Sequence, residues 1–245
     1  MTTANQNLIA RRRKALGPTY THFYDEPLHI VRGEGIWLYD SDGKKYLDCY
    51  NNVPSVGHCN PHVVEAITRQ ISTLNTHTRY LHENVIEYAE MLTATIPEDD
   101  YVVLLVCTGT EANDLAYRIA STVTGNKGVI ITENVYHGNS TLVSELSPSE
   151  GRHHPCPDFI VEVAAPDSYR GKVEAQGINA AIEQLAENGH QPAMQLIEGA
   201  FENPGLFTPD KSYYQEMIVA TRAAGGLIVF DEVQSGLCRQ GENFW

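Results

Sequence analysis

Largely apolar runs recur through the second part of the chain at 102–106, 128–132, 159–163, 193–197 and 227–230, and between most of them the apolar positions shift to a helical period. Short apolar runs without strict alternation are what strands covered on both faces require. Between them, Ala112, Leu115, Ala116, Ile119 and Val123 fall on one face of a helix over 111–123, and similar spacing predicts helices over 178–185 and 214–223. Strands and helices in alternation predict an α/β fold with a mainly parallel sheet flanked by helices. Ligands of such sheets gather at the carboxyl ends of the strands. Thr108, Glu198 and Asp231 all sit at such ends.

The first part reads differently. From Gly33 to Asp48, Asp42-Gly43 separates two short apolar stretches, which predicts a small β-hairpin. Asn60 and Pro61 suit an N-cap and first helical position, with Val63, Ile67, Ile71 and Leu74 at helical spacing behind them. A second amphipathic helix is expected around Val85, Tyr88, Ala89 and Leu92. No internal repeat is visible.

Composition narrows the function classes. The 245 residues, 42% of them hydrophobic, suffice for one large or two modest domains. Lys and Arg total 17 against 31 Asp and Glu, a net charge of -14, which disfavours nucleic acid and anionic lipid as partners. Arg11-Arg-Arg-Lys14 is followed by Ala15-Leu-Gly-Pro18 rather than by the apolar core of a signal peptide, and no stretch approaches membrane-spanning length. A cytoplasmic protein is expected, not a membrane protein. The five cysteines are odd in number and lack a CxxC spacing, so reduced thiols are expected. His153-His154-Pro155-Cys156-Pro157-Asp158 holds metal-ligand residue types, but no spaced second pair closes a tetrahedral site, and no metal is expected.

Three strings carry candidate chemistry. Thr108-Gly109-Thr110 joins a strand to a helix, where Gly109 admits an anion close to the backbone and the helix amides favour negative charge. The competing reading is an ordinary turn with Thr110 as cap. Asp231 follows the apolar Leu227 to Phe230, so its carboxylate should lie deep and need a cation, either a protonated pyridine nitrogen or a local arginine such as Arg239. Tyr136-His137-Gly138 follows the run 128–132, where an aromatic ring could stack on a flat ligand or simply pack. Glu198 could orient water or a neighbouring cation, although a solvated loop carboxylate is the simpler reading.

With these residues in view, the chain resembles the class III aminotransferases of the ornithine and 4-aminobutyrate type, over nearly its whole length. The likeness runs through Gly33 to Asp48, Gly57-His58-Cys59-Asn60-Pro61, Thr108 to Asn113, Tyr136-His137-Gly138, Glu198, and Asp231-Glu-Val-Gln-Ser-Gly236. It implies the type I pyridoxal phosphate fold. On that resemblance, 1–60 is an N-terminal arm with part of a small α+β domain, and 61–245 is a cofactor-binding large domain. Gly109 and Thr110 then bind the cofactor phosphate, Tyr136 covers one ring face beside His137, and Val233 packs on the other. Asp231 pairs with the pyridine nitrogen and Gln234 contacts the ring hydroxyl. Glu198 matches the family's strand-end carboxylate, although Gly199-Ala-Phe-Glu-Asn203 departs from the loop that usually follows.

A narrower likeness, in Asp48 to His58 and Leu74 to His82, is to the ethanolamine-phosphate and phosphohydroxylysine phospho-lyase branch. That branch implies elimination of phosphate from a phosphorylated amino alcohol, with Arg79 as a candidate for the substrate phosphate or, alternatively, a subunit-interface or structural ion pair. An ω-amino acid or amine transaminase is the alternative activity. The family's Schiff-base lysine lies downstream of the Asp231 string, whereas the last lysine here is Lys211, so that group is expected beyond Trp245. The chain is therefore expected to be an amino-terminal fragment of a homodimeric enzyme, and a catalytically incomplete phosphate- or cofactor-binding module is the third reading.

Overall fold

The computed structural model describes residues 3–20, 22, 24–97, 100–152, 155–171 and 177–245. His153 and His154 lie outside the described residues. The chain divides into two compact units, Met1–His82 and Glu83–Trp245. Among the described residues no helix is long and apolar enough to cross a membrane.

The first unit contains α1 (Thr3–Leu16), the strands β1 (Ile30–Glu34), β2 (Trp37–Asp40) and β3 (Lys45–Leu47), and α2 (Pro61–Thr73). The strands form an antiparallel sheet in sequence order. Its second turn is built by Asp40, whose Oδ1 accepts from the amides of Asp42 and Lys44 at 3.0 and 2.8 Å while Gly43 takes a φ of +82°. A glycine here avoids the cost of left-handed backbone, as the Asp42-Gly43 pair led us to expect. At α2, the Asn60 side chain accepts from His62 and Val63 with Pro61 in the first turn, the expected cap. Next to it, His58 Nε2 meets Asp48 Oδ2 at 2.6 Å. The absence of a side chain at Gly33 makes room, since a Cβ there would lie 2.8 Å from the His58 Cβ.

The second unit runs α3 (Glu83–Thr93), α4 (Gly109–Thr124), β4 (Gly128–Thr132), α5 (Thr141–Glu145), β5 (Ile160–Val163), α6 (Ile178–Glu187), β6 (Pro192–Glu198), α7 (Lys211–Ala223) and β7 (Leu227–Asp231). The four strands pair in parallel in the order β5-β4-β6-β7. Its apolar runs do not alternate because both faces are covered. Ile130, Val161 and Ile197 pack on one side with Leu185 of α6 and Met217 of α7; Val129, Ile131 and Leu196 pack on the other with Ala120 of α4. Every residue of the central β6 is buried, including Gln195, whose side-chain oxygen accepts from Thr221 Oγ1 at 2.8 Å. Burying that amide oxygen without a donor would be costly.

One expected strand does not form. The run 102–106 has no strand assignment and pairs with no described strand, and Val102, Leu104 and Leu105 remain exposed. An apolar run becomes a strand only where a neighbour supplies the ladder of hydrogen bonds, and sequence periodicity does not report the neighbour. The helices α2 and α3 have the expected amphipathic spacing, yet neither buries a residue.

Phe201, fully buried just beyond β6, has a φ of +46° and stacks between Tyr213, edge-on at 5.8 Å, and Tyr214 at 6.1 Å. Packing of this kind fixes the loop that leaves β6. Phe201→Ala is expected to destabilise the second unit by about 3–5 kcal/mol, read as a lowered denaturation midpoint in urea with unchanged slope.

Candidate active site

The strand order places a crevice in the sheet. From β4 the chain crosses outward to β5, then returns past β4 to β6 and continues in the opposite direction to β7. The loops leaving β4 and β6 therefore diverge, and such a switch point opens a ligand crevice at the carboxyl ends of the strands. The eight residues that the sequence assigns to a cofactor meet there. Gly109, Thr110, Tyr136, His137, Glu198, Asp231, Val233 and Gln234 all line one cavity of about 150 Å³, with Gly138 and Asn203 beside them.

Asp231 ends β7 opposite Glu198 of β6 in the strand register. Its Oδ2 accepts from His137 Nδ1 at 2.8 Å and from Asn113 Nδ2 at 2.9 Å, and its Oδ1 accepts from the Val233 amide at 3.1 Å. The carboxylate can only accept, so the His137 proton lies on Nδ1. Burial opposes ionisation of Asp231, but donation from His137 and Asn113 and the His137 charge interaction outweigh it, holding the carboxyl below its usual range. Asn113 also donates to the His137 carbonyl at 2.8 Å, and Ser147 Oγ accepts from the His137 amide at 2.9 Å. Side chains from α4 and from the loop after β4 thus converge on the carboxylate at the end of β7, with Ser147 bracing His137.

The start of α4 forms a second wall. Thr108, not Thr110, is the cap: its Oγ1 accepts from the Glu111 amide at 3.1 Å, and Glu111 in turn accepts from the Cys107 amide at 2.6 Å. This reciprocal arrangement resembles a capping box. It leaves Gly109 and Thr110 in the first turn, where helical geometry provides no intrahelical acceptor for the amides. Gly138, at a φ of +136°, packs against that turn; a Cβ there would meet Thr110 Oγ1 and lie 2.9 Å from the Thr110 Cα. Gly109 likewise admits Val233, whose Cγ2 would be 2.7 Å from a Cβ at that position.

Glu198 contradicts the simple expectation of a solvated loop carboxylate. It is only 3% exposed because the whole of β6 is buried up to its last residue. Its Oε1 accepts from Asn203 Nδ2 at 2.7 Å, while Oε2 is buried without a hydrogen-bond partner. Burial, and the neighbouring Glu202 next, push its carboxyl well above the usual range. Arg79 belongs to the first unit, where it is exposed and its amide donates to His77 Nδ1 at 3.2 Å.

Sequence reasoning missed Asn113, Ser147 and Asn203 as parts of this site. Asn113 stands four residues after Gly109 in the same string, a helical spacing that could have placed it on the face turned to the sheet. Ser147 and Asn203 carry no comparable signal. The groups present fit a phosphorylated pyridine: a carboxylate for a protonated ring nitrogen, a helix start for a phosphate, and two glycines where side chains would fill the cradle. Gly138→Ala is expected to weaken pyridoxal phosphate binding to the full chain by at least about tenfold, corresponding to about 1.4 kcal/mol. Equilibrium titration followed by cofactor absorbance measures it.

The family "Aminotransferase class-III" matches residues 19–245. An alanine--glyoxylate aminotransferase 2-like protein of Drosophila melanogaster is 36% identical over 97% of this chain and 51% of its own length. An ethanolamine-phosphate phospho-lyase homolog 1 of Caenorhabditis elegans is 33% identical over 99% of this chain and 56% of its own. Among solved structures, a phospholyase from Arthrobacter in complex with phosphoethanolamine superposes with a TM-score of 0.90 at 40% identity, covering 97% of this chain and 58% of that one. The chain thus spans about half the length of the curated relatives it matches. Both the family match and the placement of its motifs around one crevice give the same answer: this chain belongs to the class-III aminotransferase family.

Proposed function

We propose that this chain forms the cofactor-holding part of a pyridoxal phosphate-dependent phospho-lyase, which acts on a phosphorylated amino alcohol such as phosphoethanolamine and releases phosphate and ammonia. The observation that carries the cofactor reading is the convergence of Asp231, the start of α4 and Tyr136 on one cavity. For the substrate class, support comes from the likeness to the Arthrobacter phospholyase, whose structure contains phosphoethanolamine.

When bound, pyridoxal phosphate supplies an electron-poor ring that withdraws electrons from the substrate carbon bearing the amine. The residues of this chain hold and tune that ring. Asp231, kept ionised by His137 and Asn113, keeps a proton on the ring nitrogen. The Gly109 and Thr110 amides and the Thr110 hydroxyl bind the phosphate at the positive end of α4. Tyr136 and Val233 enclose the ring from its two faces, and Gln234 contacts its hydroxyl. Arg79 is assigned to the substrate phosphate, which a guanidinium can grip through paired donors.

A transaminase of amines or ω-amino acids is the second reading, favoured by the name of the Drosophila relative. A homodimer fits the same family reading, with a subunit interface that each copy presents to the other. A cytoplasmic location is supported by the five free cysteines.

In the full-length enzyme loaded with pyridoxal phosphate, phosphoethanolamine should yield inorganic phosphate with no keto-acid acceptor present. Amine consumption that requires a keto acid and releases no phosphate would establish the transaminase instead. Arg79→Ala should raise the Michaelis constant for phosphoethanolamine by about tenfold or more, on the scale of a charge-assisted pair, and leave cofactor affinity unchanged. Equal losses in both would remove Arg79 from the substrate site.

A further inference from the structure

Ser147 does not line the cavity, yet its hydroxyl holds the backbone that joins two of the cavity's walls. The residue follows α5 and is fully buried. Its Oγ accepts from two consecutive amides, that of His137 at 2.9 Å and that of Gly138 at 3.2 Å. The same oxygen lies 2.9 Å from the Gly138 carbonyl and 2.8 Å from the Val143 carbonyl. A hydroxyl has two lone pairs and one proton, so the two amides take both lone pairs and the proton serves one of the two carbonyls. Its bonding capacity is full.

The support under this hydroxyl is itself fixed. Ser140 caps α5 by accepting from the Val143 amide at 3.3 Å, and Val143 and Leu146 are fully buried. The Ser147 amide donates to the Ser144 carbonyl at 3.2 Å, and the Ser149 amide donates to the Val135 carbonyl at 3.2 Å. Ser147 is therefore held on both sides, and the turn at 136–138 is fitted to it.

Two lines of contact leave the turn in different directions. Through His137, the imidazole Nδ1 donates to Asp231 at 2.8 Å and the carbonyl accepts from Asn113 at 2.8 Å, at the end assigned to the ring nitrogen. Through Gly138, at a φ of +136°, the backbone packs on Thr110 in the first turn of α4, at the end assigned to the phosphate. One peptide, held by one oxygen, thus serves both ends of the ligand. Removing that oxygen leaves two buried N–H groups without an acceptor, a costly state that the turn relieves only by moving His137 and Gly138 together.

We propose that Ser147 is a positioning residue for the cofactor: it fixes the 137–138 peptide so that the ring-nitrogen contact and the phosphate cradle keep the spacing that pyridoxal phosphate requires. This rests on the cofactor reading of Asp231, Gly109 and Thr110. Ser147→Ala should weaken pyridoxal phosphate binding to the full-length enzyme by about tenfold or more, the scale of buried amides left unpaired. In the holoenzyme two signals report the two ends: the His137 Nδ1 proton in protein labelled with nitrogen-15 histidine, and the phosphorus-31 resonance of the cofactor phosphate. Both should shift in Ser147→Ala.

Thr221→Val serves as the control, because it removes another buried hydroxyl bond of the same unit, to Gln195, away from the cavity. It should lower the denaturation midpoint and leave cofactor affinity and both signals unchanged. An equal loss of affinity in Thr221→Val, or unmoved signals in Ser147→Ala, would overturn the proposal. If Ser147→Ala does not fold, Ser147→Cys takes its place; its sulfur is a larger and weaker acceptor and should displace both signals, and unmoved signals overturn the proposal there too. Gly138→Ala separates the two possible failures. If it weakens cofactor binding while Ser147→Ala does not, Ser147 loses its role and the cofactor site stands. If neither weakens it, the cofactor reading of this cavity fails and the proposal fails with it.

Discussion

The site depends on the contact between His137 and Asp231. Their 2.8 Å hydrogen bond spans 94 residues of sequence, with Asn113 donating to the same carboxylate oxygen. A buried carboxylate would ordinarily give up its charge, because water no longer solvates it. Two side-chain donors and one amide reverse that preference. The same three contacts also tie α4, the loop after β4 and the end of β7 to one point, so the electrostatics of the site and its geometry are one arrangement. Ser147 extends the arrangement by holding the His137 amide from behind.

Why this carboxylate sits at the base of a crevice follows from the sheet. Parallel strands covered on both faces leave only their ends available to ligands. The reversal of strand order between β4 and β6 then separates the departing loops at that end. Asp231 and Glu198, neighbours in register, terminate two of these strands and meet opposite fates. Asp231 is stabilised as an anion by donors, whereas Glu198 is driven toward the neutral form by burial and a nearby acid. Carboxyl groups on adjacent strands are thereby shifted in opposite directions because their partners differ.

Glycines set the remaining dimensions. Gly138 lies against Thr110, and Gly109 against Val233, at distances where any side chain would collide. The family strings Thr108-Gly109-Thr110 and Tyr136-His137-Gly138 therefore fit together as two sides of one contact, which neither string reveals separately. An acidic chain of net charge -14 nevertheless presents a helix start and glycine-lined backbone to this cavity, the local means by which an anion can be held against an unfavourable overall charge.

Periodicity and motif spacing determined much of this protein: the α/β class, the hairpin at Asp42-Gly43, the cap at Asn60 and four of the five strands proposed for the second part, while the resemblance to a family named eight of the residues that line the cavity. These features are local, or are carried by strings whose order along the chain is enough to identify them. Tertiary structure alone decided the rest. It left 102–106 without a ladder, because a strand requires a neighbour that the run itself does not encode. Glu198 became a buried acid because the whole of β6 lies inside. The partners of Asp231 proved to be Asn113 and His137, which only the folding of α4 and the β4 loop over β7 brings within reach, since hydrogen bonds form across space and sequence spacing describes only neighbours along the chain.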